Sequence, residues 1–438
     1  MRLEELPAGT LGTMAVFSLD PLASIQFRVM GALTGKTIVV GVSGGIAAYK
    51  AAELVRLLTT AGARVRVIMT RNAQEFIAPL TLQTLSMNPV ATETFSLTQE
   101  SEIGHIRLAD TADAIVVAPA SADIIAKAAN GIADDLLTTV LLAARCPTAF
   151  APAMNVHMYE HPTVIENIGK LRARGITIIE PAAGALACGY EGRGRLPEPA
   201  FIIEDLTRML SRHDLEDERI LVTAGPTQEA IDPVRFVSNR STGKMGFAIA
   251  RAAWRRGASV RLVAGPSGLA TPYGTERIEA VSAAELLDVT ATNFPWCTAL
   301  IMAAAVADFR PAKPAPQKLK KNPQGMTLDL VPIADELPRL ASQKGNRIVI
   351  GFAAETEDLE TNAAEKLQRK RLDFIVANDV SLPDAGFGVD TNIVTIVAAD
   401  GYRQTTPKLS KEEVGDVILD RLLAFRAGEQ SGSLRAIH

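Results

Sequence analysis

Cys188 lies in AGALACGYEGRGRLPEP, residues 183–199, where four glycines and two prolines surround one thiol. Glycine at that density leaves little to pack, so the segment reads as a flap hinged on its glycines. A thiol carried there is a poor core element, although free cysteines are often simply buried. Its ordinary pKa of about 8.5 leaves it able to donate a proton near neutral pH. His105 opens GHIRLAD (104–110) and is one of five histidines; base and satisfied structural histidine are even readings of it. Asn155, in APAMNVHMYEHP (151–162), follows an apolar run. There it can fix a carboxylate or merely cap the next helix.

A different chemistry is written in GVSGGIAAYK (41–50), where an apolar run meets a helical pattern. Free N–H groups and the helix dipole make such a turn, Ser43–Gly44–Gly45, a phosphate site or a tight packing turn. Thr70 and Ser121, with Asp123 nearby, stand at further strand ends, where hydroxyls can bond a phosphate or ribityl chain. The spacing departs from G-x-G-x-x-G, no acid ends the second strand (IMTRN), and the Walker A pattern is absent. FMN therefore fits better than NAD. Lysines supply a third chemistry. Lys318, Lys320 and Lys321 sit in RPAKPAPQKLKKNPQG (310–325), which reads as a loop or lid. Lys366 and Lys370 are four apart, hence on one helical face. Such lysines screen a concentrated negative charge or form a solvated face.

The elements that must carry these groups alternate. KTIVVGV (36–42) reads as a buried parallel strand, residues 46–62 as an amphipathic helix ending in glycine, and ARVRVIMT (63–70) as the next strand. Strands near 114–118, 147–151 and 176–180 follow, with helices near 121–129, 134–144 and 162–174. After the polar SRHDLEDE (211–218), RILVTAG (219–225) restarts the series. A helix over 243–258, a strand over 259–265, and strands near 298–303, 347–352, 373–377 and 392–398 complete it. The fold class expected is α/β, two doubly wound Rossmann-like domains, the first flavodoxin-like. The divisions expected are an extension over 1–35 with little order, a first domain 36–211, a linker 212–218, a second domain 219–426 and a tail 427–438.

Composition excludes several classes. A formal charge of −4 gives no basic field for nucleic acid or an anionic membrane. Three cysteines, widely spaced and odd in number, form no disulfide framework and fit a reducing cytoplasm. No apolar run reaches the ~18 residues that span a bilayer, and residues 1–35 lack a signal-peptide pattern.

The ordered set GVSGGIAAYK, GHIRLAD, APASADIIAKAANGIADDLL, PAMNVHMY and the Cys188 segment resembles the homo-oligomeric flavin-containing cysteine decarboxylases. LVTAGPTQEAIDPVRFVSNRSTGKMG, MAAAVADFRP, KLKK, GFAAET and ANDV resemble phosphopantothenate–cysteine ligase. In tandem, over about residues 35–425, they resemble the bifunctional coenzyme A biosynthesis proteins. Small departures are the 1–35 extension, Tyr159 where peptidyl-cysteine decarboxylases tend to have tryptophan, and SNRSTGKMG for the commoner SNHSSGKMG.

The resemblance implies that the second half joins 4′-phosphopantothenate to L-cysteine, using CTP and Mg²⁺, through an acyl-cytidylate. The first half then decarboxylates the product, with FMN taking and returning electrons. It implies His105 as base, Asn155 as carboxylate ligand and Cys188 as proton donor. Lys318 belongs to the activation step and Asn239 handles the acyl-cytidylate. Gly243, Met302, Ala303, Ala304, Asp308, Ala334, Asp335, Glu336, Leu337, Phe352, Lys366 and Lys370 are implied at the nucleotide. Asp308 is also a possible metal ligand. A homo-oligomer, a dodecamer with ligase dimers, is implied. Two rivals stand beside this reading. A flavin-binding regulatory subunit would lack the cysteine and the ligase half. An NAD(P)-dependent oxidoreductase would need the missing glycine fingerprint.

Overall fold

The computed structural model describes residues 32–94, 104–185, 191–321, 325–335, 337–355, 358–379, 386 and 388–428. Cys188, Glu336, residues 1–31 and the tail beyond 428 lie outside them. The first half holds strands β1 (Thr37–Val42), β2 (Arg64–Met69), β3 (Val90–Ala91), β4 (Ala114–Ala120), β5 (Thr148–Pro152) and β6 (Thr177–Ile178). They form a parallel sheet in the order β3-β2-β1-β4-β5-β6. Helices α1 (Lys50–Thr60), α2 (Pro79–Ser86), α3 (His105–Thr111), α4 (Ala122–Asn130), α5 (Leu136–Ala143), α6 (Val156–Tyr159), α7 (Pro162–Ala173) and α8 (Pro199–Met209) surround it. A two-stranded hairpin, β7 (Ala182–Ala185) and β8 (Glu191–Arg195), precedes α8.

Side-chain alternation builds two cores on this one sheet. Ile38, Val40, Val65 and Val67 face α1 and α8. Val39, Ile68, Ile115 and Val117 face α3, α4, α5 and α7. The helix expected over 46–62 is divided: a 3-10 turn covers Ile46–Tyr49 and α1 begins at Lys50. The extension expected over 1–35 is also shorter than read. Leu33 is fully buried in the first core, and Gly35 N–H donates to Gly62 O at 2.9 Å.

The second half holds β9 (Arg219–Ala224), β10 (Gln228–Ala230), β11 (Phe236–Ser238), β12 (Ser259–Ala264), β13 (Glu276–Glu279), β14 (Ala299–Met302), β15 (Phe309–Pro311) and β16 (Leu330–Pro332). β17 (Ile348–Glu355), β18 (Phe374–Asp379), β19 (Thr391–Asn392), β20 (Val394–Ala398), β21 (Arg403–Thr405) and β22 (Leu409–Ser410) follow. The main sheet runs β13-β12-β9-β14-β17-β18-β20-β21. It is parallel up to β18; β20 and β21 add antiparallel. Helices α9 (Lys244–Arg255) and α13 (Lys411–Arg426) cover one face, and α10 (Ala283–Asn293), α11 (Leu337–Ser342) and α12 (Leu359–Arg369) the other. Both halves are thus doubly wound α/β sheets.

Residues 212–218 are no slack connection. Leu215 is fully buried in the second core, and Asp214 meets Arg256 at 2.8 Å. α8 packs on α9, and the contact is charged inside. Arg255 is buried and grips Glu204 through two bonds, 2.8 and 2.9 Å, and reaches Glu412 at 3.0 Å. Nearby, Tyr273 stacks on Phe201, and its hydroxyl donates to Asp205 at 3.0 Å.

Candidate active sites

In an open parallel sheet, ligands collect beyond the strands' carboxyl ends. Three neighbouring strands of the first half, β2, β1 and β4, end there in Thr70, Ser43 and Ser121. Thr70 caps the 3-10 turn Arg71–Glu75, accepting from Ala73 N–H at 3.3 Å. Ser121 caps α4, accepting from Ile124 N–H at 3.4 Å. Ser43 has other work. Its hydroxyl is buried, donates to Pro119 O at 2.8 Å and accepts from Ser121 N–H at 2.8 Å. That hydroxyl, expected as a cofactor ligand, instead buckles the glycine turn to the end of β4. Gly44 is glycine for steric reasons, since an added Cβ would lie 2.5 Å from the Cβ of Asn72. Asn72 was not foreseen, because only the fold brings residues 44 and 72 together. Hydroxyls, a turn pressed against a neighbouring loop, and the amino end of α4 suit a flavin phosphate and ribityl chain.

His105 is the first residue of α3, half-buried, at this same edge because the helix runs back against its strands. Asn155 follows β5, and its amide oxygen accepts from His157 N–H at 2.9 Å. It is therefore a helix cap, and its amide nitrogen is the group able to meet a carboxylate. The β7–β8 hairpin that brackets Cys188 is docked on this loop. Met154 N–H donates to Gly194 O at 2.9 Å, and a Cβ on Gly194 would lie 2.3 Å from Met154 O. A Cβ on Gly192 would meet Val156 at 2.6 Å. These two glycines permit close packing; they are not the hinges expected.

The second half has a cavity of about 440 Å³ at its strand ends. Asn239, Gly243, Met302–Ala304, Asp308, Ala334, Asp335, Leu337, Phe352, Lys366 and Lys370 line it. The fold therefore gathers residues spread over some 130 positions of sequence into one hollow. Gly243, in the left-handed region at φ 83°, caps α9. Its Cβ would lie 3.1 Å from Gly225, and a Cβ on Gly246 would lie 2.5 Å from that of Ala224. Helix and strand thus meet through glycine, which leaves the helix's amino end open to the cavity. Asn239 donates its amide to Ala305 O at 2.9 Å.

Two buried threonines were missed by sequence reasoning. Thr223 accepts from Ala304 N–H at 3.2 Å, and Thr227 from Ala307 N–H at 3.0 Å. Their signal was the symmetric TAGPT (223–227). They stitch the 302–308 strand end to the glycine turn.

The lysines are engaged. Lys366 pairs with Glu355, and Lys370 with Asp335 at 2.9 Å. Lys318 is exposed and does not line the cavity. Its loop is held rather than free. Leu319 N–H donates to Asp232 at 3.1 Å, and Ala315 N–H to Ile231 O at 2.8 Å. Asp232 is buried and also accepts from Arg235 and from the Val234 and Arg235 N–H groups. Burial opposes its charge, but these donors prevail and hold its carboxyl well below the usual range. Among the described residues no cluster of three or more His, Cys, Asp or Glu side chains is arranged to hold a metal, and Asp308 is exposed at the rim.

Comparison with known proteins matches both halves. The Flavoprotein family model covers residues 27–211, and that of the DNA/pantothenate metabolism flavoprotein C-terminal domain covers 215–425. The coenzyme A biosynthesis bifunctional protein CoaBC of Bacillus subtilis (strain 168) is 49% identical over 409 residues, 91% of this chain and 100% of that protein. Its namesake from Vibrio vulnificus (strain CMCP6) is 45% identical over 396 residues, 90% of this chain and 98% of that protein. A crystal structure of the C-terminal domain of such a protein is 38% identical over 49% of this chain and 98% of that one, with a TM-score of 0.43.

Proposed function

The chain belongs to the bifunctional coenzyme A biosynthesis proteins, and on that premise we propose how its residues divide the work. It is an enzyme with a flavoprotein decarboxylase half and a ligase half. The ligase half joins 4′-phosphopantothenate to L-cysteine; the other removes CO₂ from phosphopantothenoylcysteine, leaving 4′-phosphopantetheine. A ligase half argues against a regulatory flavoprotein.

In the ligase half the nucleotide is CTP. The amino end of α9 takes its phosphates, aided by the helix dipole. Lys366 and Lys370 exchange their carboxylate partners for phosphate oxygens, and Phe352 abuts the base or ribose. The phosphopantothenate carboxylate attacks the α-phosphate, and pyrophosphate leaves. Asn239 steadies the resulting acyl-cytidylate until the cysteine amine displaces CMP. Lys318 neutralises charge as the first step proceeds, once its held loop turns inward. Magnesium carried with the triphosphate would screen its charge, with Asp308 the carboxylate placed to reach it.

In the decarboxylase half, FMN bound in the cradle supplies a reversible two-electron sink. Thr70, Ser121 and the Gly44–Gly45 turn hold its phosphate and ribityl chain. Asn155 fixes the substrate carboxylate, His105 removes a proton, and Cys188 returns one. Exposed Ile46, Tyr49 and Phe76 near the cradle favour a homo-oligomer, a dodecamer with paired ligase halves, in the cytoplasm. No described helix is long and apolar enough to cross a membrane.

The observation that supports this reading most is the one cavity shared by Asn239, the amino end of α9, Phe352 and the two lysines. Purified protein given phosphopantothenate, cysteine and CTP should release pyrophosphate and CMP, and ATP should serve poorly. Absence of pyrophosphate with either nucleotide sinks the ligase assignment. Cys188→Ser should stop the decarboxylase at an oxidised or enethiol species while ligation continues; equal loss of both activities contradicts the division.

A further inference from the structure

A second hollow, about 420 Å³, opens at the opposite edge of the first sheet, by the amino ends of its strands. Arg64 and Arg66 project from β2, two residues apart and so on one face. Arg107 and Thr111, four apart on α3, line the facing wall. Thr37 starts β1 beside Arg64, with which it is in register. The remainder is largely apolar, with Leu108 and Ala91 among it. No carboxylate lines the hollow.

Arg64 and Arg66 form no hydrogen bond or ion pair with another described residue. The carboxylate whose field reaches Arg64 is Asp113, and it is already claimed by Thr37 N–H at 2.7 Å and Lys36 at 3.3 Å. That backbone hydrogen bond first, and the basic neighbours after it, hold Asp113 below its usual range against the cost of burial. Three guanidinium groups therefore share one concave wall without a lining acid. Guanidinium forks match phosphate oxygens in pairs, and an apolar floor takes an organic body.

We propose that this hollow is an anion site for a small phosphorylated molecule, separate from both catalytic sites. Inorganic pyrophosphate is the probe, titrated by calorimetry into the flavin-loaded full chain. Two classes of site are expected, the ligase cavity and this hollow. In Arg64→Gln/Arg66→Gln one class should weaken about tenfold or more, because each change removes a charged hydrogen-bond donor. Flavin absorbance and ligase turnover should stay as in the parent. Arg64→Lys/Arg66→Lys should keep part of the affinity, since the charge remains while the fork is lost. If the glutamine variant misfolds, Arg107→Gln should give the same loss. A single class in the parent chain, or two undiminished classes in every variant, overturns the site. So does a change of assembly mass by light scattering with pyrophosphate binding intact, which makes the hollow a contact between copies.

Discussion

Ser43 shows how a side chain of suitable type can serve a site without touching its ligand. Its hydroxyl joins two loops, so Ser43→Ala orphans Pro119 O and Ser121 N–H inside the protein. The expected cost is about 1–3 kcal/mol, with weaker flavin retention; both are measurable by denaturant titration and flavin fluorescence. Unchanged flavin affinity contradicts the buckle. Gly246→Ala should push α9 off β9, since its Cβ would lie 2.5 Å from Ala224, and reduce ligation while decarboxylation persists. Residue types alone made Asn239, Phe352 and the paired lysines recognisable. They did not show that Lys366 and Lys370 begin in ion pairs, because Glu355 and Asp335 reach them only through the fold.

Among the elements, strands were the easiest to anticipate, since β-branched runs ending in glycine or a hydroxyl have few other readings. α8 went unread: PAFIIEDLTRM carries acids on a helix that is mostly buried. Those acids are tolerated only because Arg255 and Tyr273 arrive from the other half. The loop bearing Lys318 looked free for a related reason, its anchor Asp232 lying 87 residues from Leu319. Asp232→Asn should loosen that loop, lower ligase turnover and spare decarboxylation, which parallel assays of both reactions would reveal. Because the carboxyl is held below its ordinary range, its stabilisation is full above about pH 4 and fades as acid protonates it. A pH melt of parent and variant should diverge above pH 4 and converge below.

For the whole molecule, the contact between α8 and α9 decides whether the halves move as one. Burial pushes Asp205 up to about 6, despite the Tyr273 hydrogen bond that favours its charge. A carboxyl raised on folding stabilises most below its unfolded value, near 3.8, and that contribution is lost as pH rises through about 6. Thermal melts should therefore fall by an equivalent of roughly 2–3 kcal/mol between pH 4 and 7, and Asp205→Asn should flatten that slope. Arg255→Met leaves Glu204 buried without its partner and should cost about 3–5 kcal/mol, separating one melting transition into two by calorimetry. Glu204 and Arg255 lie on either side of the peptide that joins the two catalytic units. Chimeras assembled from relatives by exchange at residues 212–218 thus inherit a lock from one parent and a key from the other. Such hybrids should assemble soundly only when acid and arginine are both retained, so modular exchange in this lineage is limited by one buried pair more than by either active site.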